Sequence, residues 1–351
     1  MALIIAPDLT NYINLLSKEA IMKNDPLKIC NVTIQPGETA NLALPLPNYN
    51  SCTSFMMPIK VTHGKNKGPC MLVFSGLTAD EMNGIEIINR LIKDDSIKLV
   101  NGTVITIPII NVPALVNPTF HPYEKNFEDC FPGNAQGSYG ERIAEIFTKE
   151  ILSKVNYLIE LKTGGINDDI LPQIYTDLTR LELKLLARAF GAPVINHTKI
   201  NSSLHDTAHS MGIPLIIYKA GEARRFDESA IEVGKRGIIN LLNTLEMIQG
   251  ENKDDSNIQP IFSIEQEWIR AHHSGILTNS LALGHHVSKK DVLGYIQDPF
   301  NAELSEPIVA PKDGIIVGVN RNPLIFEGQN IYKLATFMDN LSAELSIEEW
   351  S

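Results

Sequence analysis

At 351 residues, with 44% apolar and 20% charged residues, the chain is long enough for two or three domains and a sizeable buried core. Its 30 Lys plus Arg against 41 Asp plus Glu give a formal net charge of −11, which disfavours nucleic acid and anionic membrane as partners. The four cysteines (Cys30, Cys52, Cys70, Cys130) form no CxxC pair, against a zinc knuckle or a disulfide-stapled secreted domain. No apolar run reaches the ~18 residues of a membrane span, and no signal-peptide core precedes a cleavage site. The expectation is a cytoplasmic, soluble protein.

In chain order, residues 27–65 read as short strands, among them Cys30–Ile34 and Ser54–His63. From about residue 70, apolar strands alternate with amphipathic helices. The strands are Met71–Gly76, Gly102–Ile110, Asn156–Lys162 and Pro214–Tyr218; the helices are Asn83–Lys93, Ser138–Leu152, Leu178–Phe190 (ending at Gly191) and Ser229–Met247. This alternation predicts a mostly parallel sheet covered on both faces. The polar stretch 249–260 reads as a linker. Beyond it, short strands at Gly275–Leu277, Val292–Ile296 and Gly314–Gly318 are punctuated by Gly and Pro. The expected organisation is an N-terminal β segment (1–65), an α/β domain (66–248), the linker, a β domain (261–337) and an acidic tail (338–351).

Ligands of open α/β sheets bind beyond the carboxyl ends of the strands. That rule selects Thr78–Gly84, Asn126–Gly133, Lys162–Pro172 and Lys219–Glu222. No G-x-G-x-x-G or Walker pattern supports a nucleotide.

Within those segments, Gly76-Leu77-Thr78-Ala79-Asp80-Glu81-Met82-Asn83-Gly84 resembles the G-x-H-G-D-E-x-x-G loop of the succinylglutamate desuccinylase/aspartoacylase family. Tyr157–Gly164 resembles its YLIDLHTG strand. Cys130-Phe131-Pro132-Gly133 with Gly137-Ser138 and Glu141-Arg142-Ile143-Ala144 resembles NRxFPG…GS and the helix that follows. Tyr218–Ala223 with Arg225–Glu228 resembles YExGEAxRFDE. The landmarks run in order from about residue 30 to about 337. The resemblance implies a zinc-carboxypeptidase-like α/β domain with a mixed, mostly parallel sheet flanked by helices. It also implies a zinc-dependent deacylase of N-acyl amino acids, acting on linear amide C–N bonds. Two His and one Glu would hold zinc and leave a position open for water; a Glu would move protons and arginines would clamp carboxylates.

Most of those groups are replaced. Thr78 and Lys162 stand at the two His positions, and only Glu81 is retained as a metal ligand. Lys219 stands at the general base. Glu128, Asp129 and Asp168 stand in the substrate-clamp segments, where arginines are reversed to acids, and Thr119 stands at a further clamp position. The expectation is therefore a catalytically inactive or repurposed binding homologue that holds no zinc. Its small-molecule ligand would be other than a dicarboxylate, and self-association stays open. An ion pair of Lys162 or Lys219 with Glu81 is expected to stand in for the metal charge. Two alternatives remain: a metal-dependent amidohydrolase rebuilt on spare histidines (His121, or His205 and His209 four apart), and a metal-free enzyme using Lys162 or Lys219. His272-His273 and His285-His286 read as exposed loop residues. Residues 283–294 and 309–316 resemble the halves of a lipoyl-like β-barrel. The loop between them, Asp298–Glu303, lacks the lysine that would be lipoylated.

Overall fold

The computed structural model describes residues 22–48, 54–94, 98–116, 126–198, 202–249, 260–278 and 281–338. A hairpin of β1 (Leu27–Ile29) and β2 (Val32–Ile34) turns at Cys30 and Asn31, whose φ values are 51° and 61°. The run expected as one strand, Cys30–Ile34, is broken there because both residues take the left-handed conformation of a tight turn.

An α/β unit follows: β3 (Thr39–Pro45), β4 (Met56–His63), β5 (Asn66–Phe74), α1 (Met82–Lys93), β6 (Asn101–Ile107), α2 (Val112–Val116), α3 (Tyr139–Glu150), β7 (Tyr157–Lys162), β8 (Asp168–Ile170), β9 (Gln173–Thr176), α4 (Leu181–Phe190), β10 (Val194–His197), α5 (Ser203–Ser210), β11 (Leu215–Lys219) and α6 (Glu228–Thr244). With β12 (Ile261–Ser263), these elements form a nine-stranded sheet of order β12-β10-β9-β11-β7-β5-β6-β4-β3. The β9–β11, β6–β4 and β4–β3 pairs are antiparallel and the others parallel. The sheet is mixed, as expected, and residues 39–45 and 56–63 of the N-terminal segment belong to it.

Alternation along β7 decides what each face carries. Leu158 joins a core with Leu72, Phe74 and Ile217, covered by Phe147 of α3 and Leu204 of α5. Ile159 and Leu161 join the opposite core with Val73, Ile216 and Tyr218, covered by Ile87, Phe190 and Ile238 of α1, α4 and α6. Glu160 and Lys162 therefore fall on the Leu158 face, at the carboxyl end of the strand.

The helix starts explain several motif residues. Ser138 and Glu141 form a capping box at α3, each side chain accepting from the other's backbone N–H. Asp227 caps α6 by accepting from Ala230 N at 3.0 Å. Asn83 donates to Ala220 O at 3.5 Å and accepts from Asp227 N at 2.9 Å, so α1 is tied to the loop after β11.

Beyond β12 the strands are β13 (Glu265–Arg270), β14 (Gly275–Thr278), β15 (His286–Val287), β16 (Val292–Asp298), β17 (Asn301–Val309), β18 (Gly314–Asn320), β19 (Leu324–Ile325) and β20 (Asn330–Thr336). They form two antiparallel sheets, β13-β20-β18-β15 and β17-β16-β14-β19, sharing a core that includes Leu293, Ile296, Ile316 and Leu334. Among the described residues, strand pairing links this C-terminal unit to the α/β unit at two places. β8 pairs with β18, Ile170 opposite Gly318 and Asp168 opposite Asn320; and β12, at the start of the 261–337 segment, is an edge strand of the large sheet. Of the segments expected as linker and tail, 250–259 and 339–351 lie outside the described residues.

Gly84 shows why the loop motif closes on a glycine. A Cβ there would lie 2.1 Å from Ser75 Oγ and 2.9 Å from Leu161 Cβ, because α1 starts directly on β5 and β7. Gly84→Ala is expected to lower stability by on the order of 2 kcal/mol through overpacking, measured by denaturant unfolding, with the midpoint moving and the slope constant.

Candidate functional site

The site is a polar band on the Leu158 face, where the loops after β5, β7 and β11 meet. Backbone hydrogen bonds join those loops: Ala220 N to Lys162 O (3.2 Å), Gly164 N to Gly221 O (2.9 Å), Gly221 N to Ile170 O (2.7 Å) and Arg224 N to Asp80 O (2.9 Å).

Glu160 has no solvent exposure. Its Oε2 is 2.9 Å from His205 Nε2, and its Oε1 is 3.1 Å from Lys162 Nζ. His205 is buried on α5, its Nδ1 against Ser202 Oγ. Lys162 Nζ donates to Glu128 Oε2 at 2.7 Å. Glu128 belongs to the 3₁₀ turn Phe127–Cys130, and its carbonyl accepts from Ser203 Oγ at 3.2 Å. The network thus runs Ser202–His205–Glu160–Lys162–Glu128 and closes through α5. Burial alone would lower the Lys162 pKa, but the carboxylates of Glu160, Glu81 and Glu128 overcome this and hold it above the usual range. Burial likewise works against Glu160 ionisation, and Lys162 and His205 reverse it, holding its carboxyl below the usual range.

Glu81 is 5% exposed, and its Oε2 accepts from Leu77 N at 2.9 Å. The expected ion pair with a lysine is corrected: the direct partners of Lys162 are Glu128 and Glu160, while Glu81 feels its charge at longer range. The physical reason is alternation, since Glu160 projects from the same strand and face two residues before Lys162. Burial pushes the Glu81 carboxyl up to about 7, and Lys162 opposes this only in part.

The remaining positions divide around this core. Thr78 is exposed, its hydroxyl accepting from Asp80 N at 3.4 Å. Asp129 is half-buried in the 3₁₀ turn. Asp168 accepts from Asn320 Nδ2 at 3.2 Å, and burial raises its pKa. Lys219 ends β11, in register with Lys162 on one side and Gln173 on the other. Burial lowers its pKa, reinforced by the charge of Lys162. Thr119 and His121 lie outside the described residues. His205 and His209 do not act together: one is buried on Glu160 and the other is exposed. His272 and His285 are exposed, whereas His273 and His286 are partly buried.

Sequence reasoning missed Glu160 and the neighbouring arm of the band. Gln173, Tyr175, Asn196, Ser263 and Gln266 form a hydrogen-bonded cluster, and Lys333 of β20 donates to Tyr175 OH at 2.8 Å. The available signal was a polar residue at every second position in strands otherwise buried, such as Gln173-Ile174-Tyr175.

These donors do not fit a two-His, one-Glu zinc set. Lys162 presents an ammonium already paired with two carboxylates, Thr78 a neutral hydroxyl, and Glu81 the one anionic donor of the three. Among the described residues, no three His, Cys, Asp or Glu groups stand where they could jointly hold a metal ion.

Two variants measure the network. Lys162→Ala leaves Glu160 and Glu128 without their ammonium and is expected to cost about 3 kcal/mol; an unchanged melting temperature would contradict that role. Glu81→Gln removes a carboxyl whose folded pKa lies above its unfolded value. In the native protein, stability is lost as pH rises from about 4.5 to about 7 and the buried group must ionise. The variant should match wild type near pH 4.5 and exceed it above pH 7 by about 3 kcal/mol at most. Melting curves across that range read the difference directly.

The comparisons with known proteins agree with this architecture. The profile described as "Succinylglutamate desuccinylase/Aspartoacylase catalytic domain" matches residues 67–245. The N-alpha-acetyl-L-2,4-diaminobutyric acid deacetylase of Halomonas elongata is 26% identical over 315 residues, covering 86% of this chain and 92% of that protein. Among solved structures, the product-bound ectoine utilization protein EutE (DoeB) of Ruegeria pomeroyi superposes with a TM-score of 0.75 at 21% identity, covering 90% of this chain and 98% of that one. A succinylglutamate desuccinylase/aspartoacylase from Rhodobacter sphaeroides gives 0.73 at 20% identity, covering 85% and 96%. The family hydrolyses N-acyl amino acids and is in general zinc-dependent. On the profile match across half its length, the chain belongs to the succinylglutamate desuccinylase/aspartoacylase family.

Proposed function

We propose that this chain is a binding homologue in its family, with a pocket that receives a small molecule and does not hydrolyse an amide through zinc. The observation that carries it is Lys162, whose Nζ stands 2.7 Å from Glu128 and 3.1 Å from Glu160 at a position the family gives to a zinc-binding His. The ammonium neutralises the buried carboxylates internally, and a cation brought beside it would be repelled. The general-base position carries Lys219, and acids occupy the clamp segments, Glu128 already engaged by Lys162 and Asp168 by Asn320. A ligand with two carboxylates finds no arginine fork at those positions. The lipoyl-like character of the C-terminal sheets, the division of the chain at 249–260 and a cytoplasmic location belong to the same reading. No helix among the described residues is long and apolar enough to cross a membrane.

One observation favours a second reading, a lysine-based enzyme. The lowered pKa of Lys219 makes its amine a better nucleophile than an ordinary lysine.

Elemental analysis of protein purified with zinc supplied, alongside Glu81→Ala, separates these readings. The binding homologue is expected to carry no stoichiometric zinc in either form and to leave N-acetylated amino acids intact. Stoichiometric zinc lost on Glu81→Ala, with hydrolysis in the parent, overturns it. Borohydride-dependent covalent capture of a carbonyl compound on Lys219 would select the lysine-based reading.

A further inference from the structure

The polar band has two poles. On one side Lys162 is spent on Glu128 and Glu160. On the other, two lysines from different units of the fold converge without such partners. Lys219 comes from the end of β11; its register partner Gln173 lies on the same face and accepts from the hydroxyl of Tyr175. Lys333 comes from β20 of the C-terminal unit, and its ammonium lies 5.2 Å from the centre of the Tyr175 ring while donating to the hydroxyl. Among the described residues, neither ammonium has a carboxylate within ion-pair distance. Asp168 is the acid whose charge acts on both, and one of its oxygens is engaged by Asn320.

The arrangement costs free energy in the empty protein. Both lysines are largely buried, the charge of Lys219 reaches Lys333, and each side chain remains partly exposed. Burial, and then the charge of Lys219, push Lys333 down to about 8. A structural lysine would normally be paired or turned to solvent. Gln173 and Gln266, both bonded to Asn196, instead accept from the Tyr175 hydroxyl and hold it, with the Lys333 head group, at the seam between the units.

We infer that Lys219 and Lys333 together form an oxyanion-binding subsite at the seam of the two units, which receives the single carboxylate or phosphate group of a small ligand. The inference rests on the binding-homologue reading only in taking the pocket as one that accepts a ligand. It adds the ligand's charge: one anionic group on this side, and a neutral or cationic remainder toward Glu81 and Asp129. An anion placed between the lysines relieves their repulsion and stabilises both protonated forms. The charged and titratable groups facing Lys333 are Lys219 on β11, Asp168 on β8 and the Tyr175 phenol on β9. Binding should therefore raise the Lys333 pKa, and near pH 8, where its free amine is partly deprotonated, the protein should take up protons as it binds.

The test is calorimetric titration of the full chain with acetate, succinate and inorganic phosphate, in buffers of different ionisation heat. Saturable binding with proton uptake at pH 8 is expected for acetate, phosphate or both. Lys219→Met and Lys333→Met should each weaken it about tenfold or more. Lys333→Arg should preserve binding and abolish most of the proton uptake, which also separates loss of the subsite from loss of folding. Response to acetate without phosphate assigns a carboxylate, response to phosphate alone a phosphate, and response to succinate alone overturns a subsite for a single anionic group. No binding of any probe at about 10 mM, or unchanged affinity in both methionine variants, overturns the inference. Zinc content and amide hydrolysis report on the binding-homologue reading separately. An active zinc enzyme that still binds the anion through both lysines would refute that reading and leave this subsite standing.

Discussion

The site is organised by one constraint: a carboxylate, Glu160, buried without any solvent exposure in the middle of the sheet. A buried anion is tolerated only when positive charge and hydrogen bonds replace the water it has lost. His205 is hydrogen-bonded to one oxygen, and the Lys162 ammonium supplies positive charge 3.1 Å from the other. Lys162 then recruits Glu128, so the 3₁₀ turn before Phe131 is drawn over the strand end, and Ser203 holds that turn to α5. Strand, turn and helix meet because one charge has to be compensated.

Around that centre the backbone scaffold expected of the family is present. Gly84 still lets α1 sit directly on β5 and β7. Ser138 with Glu141, and Asp227, still cap the helices that open toward the site. Asn83 still bridges α1 to the loop after β11. These residues answer to packing and helix geometry, not to a bound ion, so they constrain the chain whatever the pocket holds. The residues at the strand tips answer only to what they face, and there an ammonium–carboxylate network stands.

The C-terminal unit packs against the polar band rather than standing apart from it. Pairing of β8 with β18 sets Asn320 beside Asp168, and β20 carries Lys333 to Tyr175. A seam formed by strand addition and a buried amide cluster holds side chains more precisely than a loop lid would, because each backbone position is fixed by its neighbours.

The α/β fold was legible in the sequence, because it rests on local signals. Apolar strands alternating with amphipathic helices dictated the α/β sheet. The motif segments 76–84, 130–142, 157–164 and 218–228 marked the strand ends. The antiparallel strand β9 and the short strand β10 were not legible: each is four residues long, too short for periodicity to register. The partners of the charges were equally hidden. The sequence offers Lys162 or Lys219 as the partner of Glu81, but the two-residue period of β7 puts Glu160 on the face of Lys162, and the chain's return through α5 brings His205 to that carboxylate. Lys333 lies 114 residues beyond Lys219, and no local pattern joins them. Spacing along the chain determined which residues stand at the strand ends, while long-range strand pairing alone decided which charges meet, because electrostatic partners are set by distance in space.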